Sequence, residues 1–192
     1  MEVASRLNKG FDKASEGNTW QVLGPGNIAG RVRALAIRPD NPNVVFAGGA
    51  GGGVFKSTNG GQGDWRPVMD FADAIPVGAI AIDPTNPDVM YAGTGEPTME
   101  LTKSYGAPSY SGVGVMKSTD AGESWTRLPW PQSSSAIHEI IIDPRNTQII
   151  FAASRSHLWR TEDGGQVWTR VQTGVATDVV FRPDNPDVVF VG

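Results

Sequence analysis

Two short segments alternate along this chain, and their strict alternation constrains the fold more than any other feature. The first occurs four times, as AIRPDNPNVVFAGG (Ala36 to Gly49), AIDPTNPDVMYAGT (Ala81 to Thr94), IIDPRNTQIIFAAS (Ile141 to Ser154) and VFRPDNPDVVFVG (Val180 to Gly192). The second always follows a copy of the first. It reads GVFKSTNGGQGDW (Gly53 to Trp65), GVMKSTDAGESW (Gly114 to Trp125) and HLWRTEDGGQVW (His157 to Trp168). Asp120 and Asp163, at matching places, lie 43 residues apart, and a four-stranded propeller blade takes roughly 40 to 50.

Each unit holds four short apolar runs separated by turn residues, which predict strands A, B, C and D. In the first unit these are Arg31 to Arg38, Asn43 to Gly48, Gly53 to Ser57 and Trp65 to Met69. Strand A is almost continuously apolar (RALAI, GAIAI, EIIID), the pattern of an innermost strand buried on both faces. The 24 glycines and 14 prolines recur at the breaks between runs rather than clustering in a linker. The expected fold is all-β: a β-propeller of four-stranded antiparallel blades, here about three and a half blades of a larger ring. The blades fall at about 31–70, 77–128 and 136–171, with a half blade at 176–192. Residues 19–24 (TWQVLG) resemble strand D and are expected to be an outer closing strand, while residues 1–18 are a tail or linker. On this reading the sequence is expected to be part of a longer chain, whose remaining blades, or another copy, cover its open edges.

The turns carry their own chemistry. RPDNP and DPTNP between strands A and B combine a proline-fixed φ with Asp and Asn side chains that accept turn amides. Between strands C and D the pattern is S/T-x-D-x-G-x-x-W, at Ser118, Asp120, Gly122 and Trp125, and again at Thr161, Asp163, Gly165 and Trp168. In such a box the carboxylate accepts hairpin amides, the glycine supplies a positive φ and the indole packs back between blades. The first copy, Ser57, Asn59 and Trp65, has Asn in place of Asp and one extra residue before Trp, so its turn is expected to be differently hydrogen-bonded.

These boxes resemble those of the Asp-box, or BNR-like, repeat superfamily, whose members include sialidase-like, xyloglucanase-like, sortilin-like and photosystem II assembly factor-like propellers. The resemblance runs from Trp20 to Gly192 and implies fold far more strongly than function, since one fold hosts many activities. It also implies an extracellular or cell-surface setting. In the xyloglucanase-type relatives a catalytic Asp lies in a segment like TDIGG at the first B to C loop. The matching stretch here is GAGGG, with Ala50 in that place, which argues against that chemistry. A sialidase-like site implies an arginine triad and an R-I-P segment; Arg31 and Arg33 are candidates for anion contacts near the channel, and R-I-P does not occur.

Strand alternation puts the boxes on one face and the B to C and D to A loops on the other. The longest of those loops, Glu96 to Gly112, carries Glu96, Glu100, Lys103, Tyr105 and Tyr110, with Trp130 following on the same face. Aromatic rings beside carboxylates suit a glycan or peptide groove, and the same tyrosines equally suit pinning the loop to its blade. His138 and Glu139 open the third strand A and are placed at the channel. Two histidines and no cysteine give no metal-ligand spacing, and no cofactor motif is present, since the glycines of GPGNIAGR and GGAGGG precede no helix and lack G-K-S/T. A net charge of -4 with mixed signs argues against nucleic acid as partner, and no apolar run reaches membrane-spanning length. The sequence thus favours a non-catalytic recognition propeller, with a glycoside hydrolase and an intracellular assembly factor as alternatives.

Overall fold

The structure, a computed structural model, describes residues 30–96, 110–132 and 136–192. Fourteen strands and no helix occur among them. Blade 1 comprises β1 (Val32–Ile37), β2 (Val45–Gly49), β3 (Gly53–Ser57) and β4 (Arg66–Pro67). Blade 2 comprises β5 (Val77–Ile82), β6 (Met90–Thr94), β7 (Val115–Ser118) and β8 (Thr126–Arg127). Blade 3 comprises β9 (Ile137–Ile142), β10 (Ile150–Ser154), β11 (His157–Thr161) and β12 (Thr169–Thr173), and a hairpin of β13 (Val179–Arg182) and β14 (Asn185–Val191) follows. Every strand pair is antiparallel, and the order within each sheet is the order in sequence. The inner strands β1, β5, β9 and β13 pack one beside the next, so the sheets stack radially.

Successive blades meet through branched side chains set over residues that have little or no side chain. A Cβ on Gly48 of β2 would lie 2.7 Å from Val77 Cγ1 and 3.2 Å from Ile80 Cδ1 of the next inner strand. One blade on, a Cβ on Gly93 of β6 would lie 2.5 Å from Ile137 Cγ2 and 3.2 Å from Ile140 Cδ1. These close approaches need glycine for space rather than for its φ. The core between blades 1 and 2 gathers Phe46, Val54, Val77, Ile80 and Met90, and that between blades 2 and 3 gathers Tyr91, Ile137, Ile140, Trp159 and Trp168.

Strand A is not buried alike in every blade, which corrects the expectation of an inner strand covered on both faces. In β5 Val77, Ala79 and Ile80 are buried, but in β1 Leu35 is 68% and Ile37 61% exposed. Among the described residues β1 has a blade on one side only, so half of its apolar side chains find no neighbour to cover them. Strand D is short in the first two blades and exposed throughout β12, so burial falls outward as polarity rises.

Candidate functional site

The three C to D hairpins share one hydrogen-bonded hub. In the second, Ser118 Oγ donates to Asp120 Oδ1 at 2.7 Å and accepts the Gly122 amide at 2.8 Å, while Asp120 Oδ1 accepts the Ser124 amide at 2.9 Å. In the third, Thr161 Oγ1 takes the same part toward Asp163 and Gly165, and Asp163 Oδ1 accepts the amides of Gln166 and Val167. The hydroxyls are almost fully buried, so the Ser or Thr is the inner pivot and the carboxylate ties down the far limb. In the first hairpin Ser57 Oγ donates to Asn59 Oδ1 at 2.6 Å, and the Asn59 amide nitrogen donates to the Gln62 carbonyl, a bond that a carboxylate cannot make. This is how the Asn copy closes its longer turn.

These hairpin groups are occupied by their own backbone. Burial by itself raises the Asp120 carboxyl, but the hydroxyl and amide of Ser124 and the Ser118 hydroxyl hold it below the usual carboxylate range. The Thr161 hydroxyl and Val167 amide do the same for Asp163. Gly122 and Gly165 have φ of 84° and 97°, and the indoles of Trp125 and Trp168 turn back toward the preceding blade. Trp65 is half-buried.

On the opposite face the structure brings Arg31 and Glu96 together. Glu96 is 3% exposed and its Oε1 is ion-paired with the Arg31 guanidinium, while its backbone amide donates to the Tyr110 carbonyl at 2.8 Å. The Arg31 carbonyl in turn accepts the amide of Ala50, and the Tyr110 ring, 45% exposed, lies beside Gly51. Glu100, Lys103 and Tyr105 lie outside the described residues, as do residues 1–18 and 19–24. Trp130, expected on the ligand-facing surface, packs inward instead. Its ring meets Trp159 and Trp168 edge-on at 5.7 and 5.0 Å, and it lies directly on Gly114, where the absence of a Cβ lets the indole approach the backbone.

The channel side of the inner strands carries a feature that periodicity did not disclose. The pairing of strand A with strand B shifts register between Val32 and Ala34, between Val77 and Ala79, and beside Ile137 and Glu139. Equivalent bulges therefore fall at Arg33, Gly78 and His138, and bulges re-aim side chains at sheet rims. His138 is held below its ordinary range by burial and then by the charges of Arg33 and Arg155. Glu139 is raised by burial and by Asp178, which immediately precedes the next inner strand β13. The sequence signal was a polar pair opening an otherwise apolar strand, but the charges of Arg33 and Asp178 that act on it belong to other blades and are brought near by their stacking. Among the described residues no group of three or more metal-binding side chains gathers.

A stack of four-stranded antiparallel sheets with adjacent inner strands, closed outward by box hairpins, matches solved propellers. An ancestral GH74 enzyme superposes with a TM-score of 0.68 at 23% identity, over 83% of this chain and 22% of its own. The chain is an arc of a β-propeller. YCF48 bound to D1 peptide, another propeller of this kind, superposes with a TM-score of 0.61 at 18% identity, over 88% of this arc and 51% of that chain. A xyloglucanase of Paenibacillus sp is 29% identical over 171 residues, which is 82% of this chain and 16% of the relative. The propeller arc thus spans about a sixth of the curated relative's length. No protein-family model matches the sequence. These likenesses agree with the Asp-box, BNR-like superfamily that the repeats resemble.

Proposed function

We propose that this propeller arc is a non-catalytic recognition surface that takes a glycan or a peptide across its B to C and D to A loops. The commitment of Glu96 carries the reading: a buried carboxylate ion-paired with Arg31 fixes the base of the long loop. Tyr110 beside it offers a half-exposed ring, and Arg33 and Glu139 add hydrogen-bonding groups on the channel side of the inner strands. Ligand-binding roles for Glu100, Lys103 and Tyr105, which lie outside the described residues, and an extracellular or cell-surface setting belong to the same proposal. Calorimetric titration of the chain with xyloglucan oligosaccharides and with a D1 peptide tests it, one arm for each likeness. Tyr110→Ala is expected to weaken binding about tenfold, in line with the loss of one stacked aromatic. Binding to neither class, or binding indifferent to Tyr110, overturns it.

A glycoside hydrolase is the second reading, and Glu139 favours it. Burial and the charge of Asp178 raise the Glu139 carboxyl, the direction a general acid requires, and the curated relative is a xyloglucanase. Release of reducing ends from xyloglucan, abolished by Glu139→Gln with binding retained, would establish turnover in place of recognition.

A further inference from the structure

We propose that one sugar unit of a neutral oligosaccharide binds over the turn between β2 and β3, its C–H face on the Tyr110 ring, its edge against the bare backbone of Gly51 and Gly52, and one hydroxyl donating to Glu96 Oε2. This rests on the recognition reading above and narrows it from glycan or peptide to a neutral glycan.

The fold explains some glycines of this turn and not others. Gly53, at a φ of 78°, is the left-handed residue that closes a short hairpin, and a Cβ on it would lie 3.1 Å from Ile75 Cγ2. A Cβ on Gly49 would lie 3.3 Å from the Gly52 backbone nitrogen. Gly51 and Gly52 have no positive φ. Among the described residues a Cβ on Gly51 would meet only Tyr110 Cε2, at an ordinary 3.7 Å, and one on Gly52 only the edge of the Phe55 ring, at 3.3 Å. The equivalent turn of blade 3 is made by Arg155 and Ser156, so the B to C hairpin does not itself demand glycine. A glycine that neither φ nor packing requires leaves exposed backbone uncovered, and close approach of a ligand to the backbone is one use of such a surface.

A second observation points to the same place. The Tyr110 ring beside Gly51 belongs to a circuit of contacts: the Tyr110 carbonyl accepts the Glu96 amide, Glu96 Oε1 pairs with Arg31, and the Arg31 carbonyl accepts the Ala50 amide. Within this circuit Glu96 is 3% exposed, yet its Oε2 has no hydrogen-bond donor among the described residues. A buried carboxylate oxygen without a donor is costly, and a ligand hydroxyl would supply one. The turn carries no charge, and the charges beside it, on Arg31 and Glu96, offset each other, which favours a neutral ligand. A sugar presents together the three things these groups lack: an apolar C–H face for the tyrosine ring, a hydroxyl donor for Oε2 and an edge thin enough to lie on uncovered backbone.

Gly51→Ala tests this because folding and binding should respond differently. The added Cβ has room, so the melting temperature should hold or rise, while calorimetric affinity for xyloglucan oligosaccharides should fall about tenfold or more. NMR of the wild-type chain gives a measure independent of how the variant folds: on titration with the same oligosaccharides the backbone amide signals of Gly51 and Gly52 should shift, and saturation of the Tyr110 ring should transfer to sugar C–H protons. Undiminished affinity in a folded Gly51→Ala, or Gly51 and Gly52 signals that stay still while Tyr110→Ala weakens binding, would overturn this inference and leave the recognition reading standing. A wild-type chain that binds the D1 peptide and no oligosaccharide would overturn the commitment to a glycan, and binding to neither would overturn both.

Discussion

The indole N–H of Trp125 on blade 2 donates to the carbonyl of Val68 on blade 1 at 2.9 Å, so the hairpin box of one blade is fastened to the outer edge of the blade before it. It also donates to the Gly122 carbonyl of its own box at 3.1 Å. Trp125→Phe keeps most of the ring burial and loses both bonds, and is expected to cost about 1–2 kcal/mol; Trp125→Ala should cost about 3 kcal/mol or more. Urea unfolding of the two variants separates the hydrogen bonds from the packing.

Ala121 has a φ of 57°, at a position held by Gly60 and Gly164 in the other hairpins. A left-handed alanine costs roughly 1–2 kcal/mol, against which glycine loses chain entropy on folding. Ala121→Gly is therefore expected to be neutral or stabilising by up to about 1 kcal/mol. Gly165→Ala should destabilise by about 1–3 kcal/mol, because its Cβ would fall 2.5 Å from Leu128 Cδ1 at a φ of 97°. Melting temperatures should fall for Gly165→Ala and hold or rise for Ala121→Gly.

Glu123 binds both Arg66 and Lys56 of the preceding blade, at 2.6 and 2.9 Å. The Arg66 guanidinium, then the Lys56 ammonium, lower its carboxyl to about 2. A carboxyl lower in the folded than in the unfolded chain adds stability that is present above the ordinary value of 4.5 and lost as pH falls toward about 2. The group is 45% exposed, so the gain is expected to stay under about 1 kcal/mol. NMR titration should find the low pKa, and Glu123→Gln should flatten the stability profile across that window.

The Arg31–Glu96 pair joins a guanidinium 55% exposed to a carboxylate 2% exposed, and Glu96 Oε2 has no hydrogen-bond partner among the described residues. Removing the arginine strands a buried charge, so Arg31→Ala is expected to cost roughly 1–3 kcal/mol. Arg31→Ala with Glu96→Gln should cost less than the two single changes together, with a coupling of about 0.5–3 kcal/mol. A double-mutant cycle by chemical denaturation measures it; strict additivity would mean the ion pair does not form in solution.

The fold was legible because its signals are local. A proline-bounded Asp or Asn turn and a Ser/Thr, Asp, Gly and Trp box each act within a dozen residues, so their recurrence exposes the period before any long-range contact is known. The candidate site was less legible. Glu96 reads as a free loop carboxylate until folding brings it to Arg31, 65 residues away. Trp130 reads as a surface aromatic until Gly114 is seen to leave it a bed against the backbone. The bulges at Arg33 and His138 are invisible to a count of alternating side chains, because pairing between strands creates them.

By itself, then, the sequence determined the period, the four-strand unit and the hairpins, all products of short-range backbone preference and side chains that bond within their own turn. Tertiary structure alone decided which strand faces are covered, which carboxylates are captured and which charges share the channel mouth. Those properties depend on distances between blades, which no single repeat encodes: among the described residues equivalent apolar positions are buried at Ile80, where the preceding blade lies against them, and open at Leu35.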